Sequence, residues 1–229
     1  MDASTEACLA RLLSVAAPLL ALLPACAAPP GETVATRIQG DVHFLDGHPA
    51  RAADGRLNAV IEVPAGTLAK WEVHAESGVL EWEMEHDARR VVQFLAYPCN
   101  YGMAPSTLHS KGSGGDGDPL DVIVLGASMA RGALVPVTPI GVLGMLDGGE
   151  RDEKIVAVAS STPFEKVTSI EELDERFPGA TEILATWFAS YKGPRSTQLT
   201  GFKGPESAAE LIEEAISDYA VRKTTDRRR

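Results

Sequence analysis

The 229-residue chain carries 32 Asp and Glu against 21 Lys and Arg, a formal net charge of −11. With 45% hydrophobic and 23% charged residues it has the composition of a globular domain with a full core, which excludes wholesale disorder. The acidity argues against a nucleic-acid groove, and an acidic protein that handles an anion needs divalent metal to offset the repulsion.

Residues 12–23 (LLSVAAPLLALL) form an apolar run of about the length of a signal-peptide core, too short and Pro-broken for a membrane span. Leu23–Cys26 (LPAC) follows, and resembles a bacterial lipobox with Cys26 as the lipid-bearing residue. Ala25–Ala27 offers a simple cleavage site instead, and a buried N-terminal helix is a third reading. The expectation is a signal peptide of lipoprotein type over 1–26, then a tether and N-terminal extension over 27–56. The protein would then be exported, periplasmic or membrane-anchored, with a cytoplasmic location as the alternative. Cys8 and Cys26 lie in that first segment, so Cys99 has no partner for a disulfide framework.

From residue 57 to about 160, short apolar runs alternate with Gly, Pro and Asp. Residues 57–64, 70–75, 91–97, 120–126, 137–146 and 154–159 read as strands of a closed or sandwiched β architecture. The period then changes. Residues 169–176 predict a short helix with Ser169 as N-cap and Glu172 in the capping-box position. Residues 180–192 predict a second helix, with Ile183, Leu184, Trp187, Phe188 and Tyr191 on one face. A third, over 205–221, starts at Pro205 and buries Ala208, Leu211, Ile212, Ala215, Ile216 and Tyr219. Residues 223–229 read as a disordered tail. The fold class is α+β, mainly β, with two or three helices packed outside.

The most informative stretch is GSGGDGDPLDVIVLG, residues 112–126. Asp116, Asp118 and Asp121 are close enough to repel, so the fold must bring something cationic to them. Asp116 and Asp118 share a face in an extended chain; Pro119 supplies the bend that returns Asp121 to it. Carboxylates at this spacing suit hard cations such as Mg2+. The cluster is not an EF-hand loop, because its ligand spacing is wrong and Asp121 stands where that loop needs Gly. The Asp-x-Asp of haloacid-dehalogenase phosphatases follows a hydrophobic strand, whereas glycines and serine precede this one. A solvated acidic turn is the plain alternative. Glu62, Lys70, Glu72, Asp147, Asp152 and Lys154 also interrupt or border apolar runs; singly, each reads as an outward-facing strand residue.

Together these residues resemble the soluble inorganic pyrophosphatase family (family I). DGDPLDV matches its Asp-x-Asp-Pro-hydrophobic-Asp motif, and VIEVPAG, KWEV, ESGVL, YPCNYG, GVLGMLDGGERDEKIVAV and ASYKG follow in the family's order. The resemblance spans roughly residues 57–220 and implies a pyrophosphatase domain over 57–222, built on a five-stranded OB-like β-barrel with helices outside. It further implies hydrolysis of pyrophosphate with several Mg2+ ions per site. Asp116, Asp121 and Asp152 would be ligands of the tightly held metals, with Asp121 bridging two. Asp118 would be the general base toward the metal-bound water. Asp147 and Glu62 would serve metals that arrive with substrate. Lys70, Tyr101, Tyr191, Lys192 and one of Arg89 and Arg90 would bind pyrophosphate, while Glu72 and Lys154 complete the charged lining. A homo-oligomer is implied as well. Departures are the longer segment 81–88, the lysine-poor stretch after Lys192, and the added residues 37–56. A cation-binding protein on the same fold that has lost catalysis is the rival of another class, and a phosphatase of organic phosphates is a second. An oligonucleotide-binding barrel, the third, lacks the basic residues and surface aromatics, with aromatics at only 6%.

Overall fold

The computed structural model describes residues 35–193 and 196–226. The readings of 1–26 as a signal peptide and of Cys26 as a lipid site lie outside the described residues, as do residues 27–34 of the tether and extension over 27–56.

Strands β1 (Arg37–Ile38), β2 (Leu57–Val63), β3 (Trp71–Val73), β4 (Leu80–Trp82), β5 (Met84–Glu85), β6 (Ala88–Arg89), β7 (Asn100–Met103), β8 (Asp121–Leu125), β9 (Leu134–Asp147), β10 (Glu150–Arg151) and β11 (Lys154–Ala159) come first. Helices α1 (Ile170–Arg176) and α2 (Ala180–Ser190) follow, then strand β12 (Thr197–Lys203) and helix α3 (Pro205–Asp226). The body is therefore mainly β with three helices among the described residues, an α+β arrangement.

The main sheet closes its own pairing. β2 pairs β7, β7 pairs β8, β8 runs parallel to β11, β11 pairs β9, and the first part of β9 returns to β2. β9 can reach both partners because it is fourteen residues long, with Leu134–Val137 on β2 and its later part on β12. Pro139 is accommodated: the register against β11 shifts beside it, so the missing N–H falls at an irregularity in the ladder.

Alternation along the strands divides the core. Val122, Val124, Ile155 and Ala157 point to one side, where α3 adds Ala208, Leu211, Ile212 and Ala215. Ile123, Leu125, Val156 and Val158 point to the other, against Leu173 of α1 and Leu184, Trp187 and Phe188 of α2. Both faces are buried, which is why these strands read as continuous apolar runs. A third cluster joins Phe44 and Leu45 of the N-terminal extension to Trp71, Val73 and Leu80, so residues 37–56 belong to the folded body.

Several expectations need correction. Residues 91–97 are not a strand: Val91 makes one isolated bridge, to Ala69, and the following backbone bonds go to the 66–68 loop. Phe94 and Leu95 are left exposed. Segments 80–82, 100–103 and 197–203 are strands that the sequence reading left unassigned. Helix α2 ends at Ser190, and Ile183 is 60% exposed, one position round from the buried stripe of Leu184, Trp187 and Phe188. Helix α3 continues through residues 223–226, so Lys223, one turn after Tyr219, joins it in holding Asp46. Ser169 caps α1 as expected, while Glu172 reaches back to the backbone of Thr168.

Candidate active site

The acidic motif is shaped before it meets any other element. Asp116 accepts the backbone N–H of Asp118 at 3.0 Å, a local turn in place of an extended chain. Pro119 and Leu120 then lead into β8, whose first residue is Asp121.

Sheet register brings the next groups. Asp121 and Lys154 are register partners in the parallel pair β8–β11, so their side chains leave the sheet together. Asp152, two residues earlier, joins them. The buried Lys154 ammonium contacts both carboxylates. Burial alone would lower Lys154, but Asp121 and Asp152 outweigh it and raise it above its ordinary value. Burial likewise opposes ionisation of Asp121, yet Lys154 and Lys70 hold it below the usual carboxylate range. Asp152 is raised, by burial first and then by the Asp121 charge.

Glu62 arrives by a β-bulge. Ile61 pairs Gly102 and Val63 pairs Tyr101, which leaves Glu62 as the extra residue between them. A Cβ at Gly102 would stand 1.8 Å from the Val60 carbonyl oxygen, so only glycine allows this approach. The aimed carboxylate is buried and accepts the Val73 N–H at 2.8 Å. Burial pushes it up to about 8 despite the nearby Lys70. Lys70 itself, disfavoured by burial, is raised by Glu62, Tyr97, Glu72 and Asp121.

An aromatic wall closes the far side. Trp187 stacks on Tyr191 at 4.6 Å and meets Tyr97 at 4.3 Å, while Phe188 lies 5.9 Å from Tyr101. The wall fixes the end of α2, so Lys192 reaches Asp147 across the site. Tyr191 is pushed up to about 12 by burial, and Tyr101 well above its ordinary value.

All of this surrounds one cavity of about 580 Å3. Its walls include Glu62, Asp116, Asp118, Asp121, Asp147 and Asp152, and also Lys70, Glu72, Arg90, Tyr101, Lys154, Tyr191 and Lys192. Asp118 stands at the exposed rim. Lost hydration first, then Asp116, Glu72 and Asp121, push it up to about 6. Of the sequence candidates, Arg89 alone lies off these walls: its guanidinium covers the Trp82 ring, while Arg90 faces the cavity and pairs with Glu83 at 2.6 Å. His74, Glu76 and Glu150 also line the cavity and were not singled out. Glu76 lies in the ESG motif and Glu150 two residues before Asp152, but neither spacing marks a role. Among the described residues no three carboxylates form a ready cage for a metal; Lys154 and Lys192 bind three of them instead.

Comparison with known proteins agrees with this arrangement. The family model described as inorganic pyrophosphatase matches residues 59–220. An inorganic pyrophosphatase of Synechocystis sp. is 31% identical over 174 residues, 75% of this chain and 96% of that one. One from Geobacillus stearothermophilus is 33% identical over 171 residues, 73% and 96% of the two chains. The solved structure of inorganic pyrophosphatase from Schistosoma japonicum superposes with a TM-score of 0.71 at 29% identity, over 77% of this chain and 70% of that one. A cavity walled by the motif residues, on a chain matched over most of its length, places the protein in the inorganic pyrophosphatase family.

Proposed function

We propose that this chain hydrolyses pyrophosphate to two phosphates with Mg2+ at the acidic cavity, with Asp118 as general base. Inorganic diphosphatase activity is that of the family; the metal's identity and the residue roles are our reading. One observation carries it: nine carboxylates and a set of Lys, Arg and Tyr side chains converge on a single cavity. Carboxylate oxygens are the donors that Mg2+ takes, and a bound divalent cation would favour the ionised forms of Asp118 and Asp152, which burial first and neighbouring carboxylates next push up. Asp116, Asp121 and Asp152 would hold the metal, with Asp147 and Glu62 near substrate. Bound there, Mg2+ would neutralise the anion and acidify water.

The chain's own groups do the rest. Asp118 orients the attacking water and takes its proton as the oxygen bonds to phosphorus. The bridging P–O bond breaks, and its electron pair leaves on the second phosphate. Lys70, Arg90, Lys192, Tyr101 and Tyr191 stabilise that charge. Lys154 keeps Asp121 anionic. The closed ring of five pairings supports an OB-like barrel for the body. The sequence of residues 1–27 supports export, with Cys26 as a lipid site, testable by labelled fatty-acid incorporation and its loss in Cys26→Ser. We also read the protein as a homo-oligomer, on family resemblance, which sedimentation would test.

The experiment is phosphate release from pyrophosphate with and without Mg2+. We expect Mg2+-dependent release, reduced by roughly 10²–10⁴ in Asp118→Asn with the fold retained. Full activity in Asp118→Asn would remove the base assignment.

A further inference from the structure

The loop that carries Asp116 and Asp118 is soft by composition. Gly112, Gly114, Gly115 and Gly117 fall within it, and Gly114 and Gly117 adopt positive φ. Something outside the loop must hold its two carboxylates at a fixed position relative to Asp152. The two neighbours of Asp152 do so. Arg151 donates its backbone N–H to Gly114 O at 2.9 Å and its Nη1 to Ser113 O at 3.1 Å. Glu153, only 7% exposed, grips the same guanidinium: Nε lies 3.1 and 3.2 Å from its two oxygens, and Nη2 lies 3.0 Å from Oε1. On its other side Glu153 faces buried His109, whose Nε2 lies 3.3 Å from Oε2 without the alignment of a hydrogen bond.

His109 in turn closes the loop. Its N–H donates to Asp118 O at 2.7 Å, and its carbonyl accepts from Gly117 N at 2.8 Å. The loop lies so flat on the imidazole that a Cβ at Gly115 would meet the ring at 2.6 Å.

We infer that Glu153, acting through Arg151 and His109, is a positioning residue that locks the Asp116–Asp118 loop to Asp152 and so preforms the metal site. The inference rests on the reading that these aspartates hold Mg2+. Without the Glu153 carboxylate, Arg151 is free to turn to solvent, since its side chain is already 37% exposed. The loop then loses its Ser113 anchor, and the carboxylates from the two segments no longer share one geometry. Supporting groups of this kind are worth about 10–100-fold in metal affinity.

The test uses the full chain as Glu153→Gln, which keeps the shape, and Arg151→Lys, which keeps the charge but loses the fork. Mg2+ binding without substrate is measured by calorimetry, and amide hydrogen exchange is followed across residues 110–118. We expect Mg2+ affinity to fall by roughly tenfold or more in Glu153→Gln and Arg151→Lys. Exchange should quicken in the loop and not in β8 or β11, and the KM for pyrophosphate at saturating Mg2+ should change less than about twofold. Glu153→Asp should recover part of the affinity. Wild-type Mg2+ affinity in folded Glu153→Gln overturns the inference, as does exchange that quickens everywhere equally. Asp116→Asn separates the two readings: unchanged Mg2+ binding there refutes the site itself, whereas loop exchange still reports on the clamp.

Discussion

Replacing Lys154 by methionine would expose the charge balance on which the site is built. Lys154 is 1% exposed and touches both Asp121 and Asp152. Methionine keeps much of its length but removes the ammonium. Two carboxylates that shared one cation would then face each other at roughly 4 Å, worth about 4 kcal/mol at an effective dielectric of about 20. Breaking one side of a buried ion pair costs about 3–5 kcal/mol, a similar figure. At about 2–4 °C per kcal/mol, the metal-free melting temperature should fall by roughly 6–20 °C. Two conditions should relieve the loss. Without Lys154 the folded carboxylates sit above their unfolded values, so the destabilisation is present at neutral pH and fades as pH falls through their raised range. Mg2+ should also raise the variant's melting temperature more than the wild type's, because it supplies the missing positive charge. Thermal unfolding in chelator at neutral and acid pH, then with Mg2+, measures all three. A variant as stable as wild type in chelator at neutral pH would refute the reasoning, as would a deficit that neither acid nor Mg2+ reduces.

Other substitutions probe separate links. Gly102→Ala should cost about 1–3 kcal/mol or more in denaturant unfolding, because the added Cβ meets the Val60 carbonyl opposite the bulge that aims Glu62. Arg90→Gln should raise the KM for pyrophosphate roughly tenfold or more, while Arg89→Gln, whose guanidinium lies on Trp82, should change it less than about twofold. Asp46 is opposed by burial, but its hydrogen bonds from Lys223 and Tyr219 hold it below the usual carboxylate range. Its contribution is therefore present above the unfolded value and lost as pH falls through the lower folded one. Urea midpoints of Asp46→Asn should accordingly lie below wild type at pH 7 and converge with it in strong acid.

The acidic motif could be read from sequence because it is local: Asp116, Asp118 and Asp121 come with their own turn residues and with Pro119. The strands at 57–63, 121–125 and 154–159 were legible because runs buried on both faces are mostly apolar, with Asn58, Glu62, Asp121 and Lys154 as the exceptions. By contrast, Glu62, Asp152 and Lys154 looked like outward-facing strand residues, and only family order marked them. Their burial depends on pairing between segments far apart in sequence, which no local period records. Residues 91–97 failed for a related reason: Val, Phe and Tyr favour strands, but here their backbone bonds serve a loop. That Arg90 and not Arg89 lines the cavity needed the hairpin of β5 and β6, with the Arg89 guanidinium over Trp82.

The geometry also explains how an acidic protein receives a polyanion. Its cations are placed individually rather than as a basic surface. Lys154 is spent inside the protein on Asp121 and Asp152, and Lys192 is paired with Asp147. Among the described residues Lys70 has only Glu72 as an ion-pair partner, at 3.7 Å, a looser pairing than those of Lys154 and Lys192. An anion entering alone would meet nine carboxylates and few uncommitted cations. The same anion accompanied by divalent metal would find donors for the metal on one wall and Lys70, Arg90 and the tyrosines on the other. We therefore expect the charge distribution to select a metal-bound polyanion over a free one. Pyrophosphate should bind weakly in chelator, and its affinity should rise with Mg2+ concentration. Equilibrium binding to Asp118→Asn, which keeps the site while slowing turnover, would measure that dependence. Equal affinity with and without Mg2+ would show that the protein's cations suffice alone.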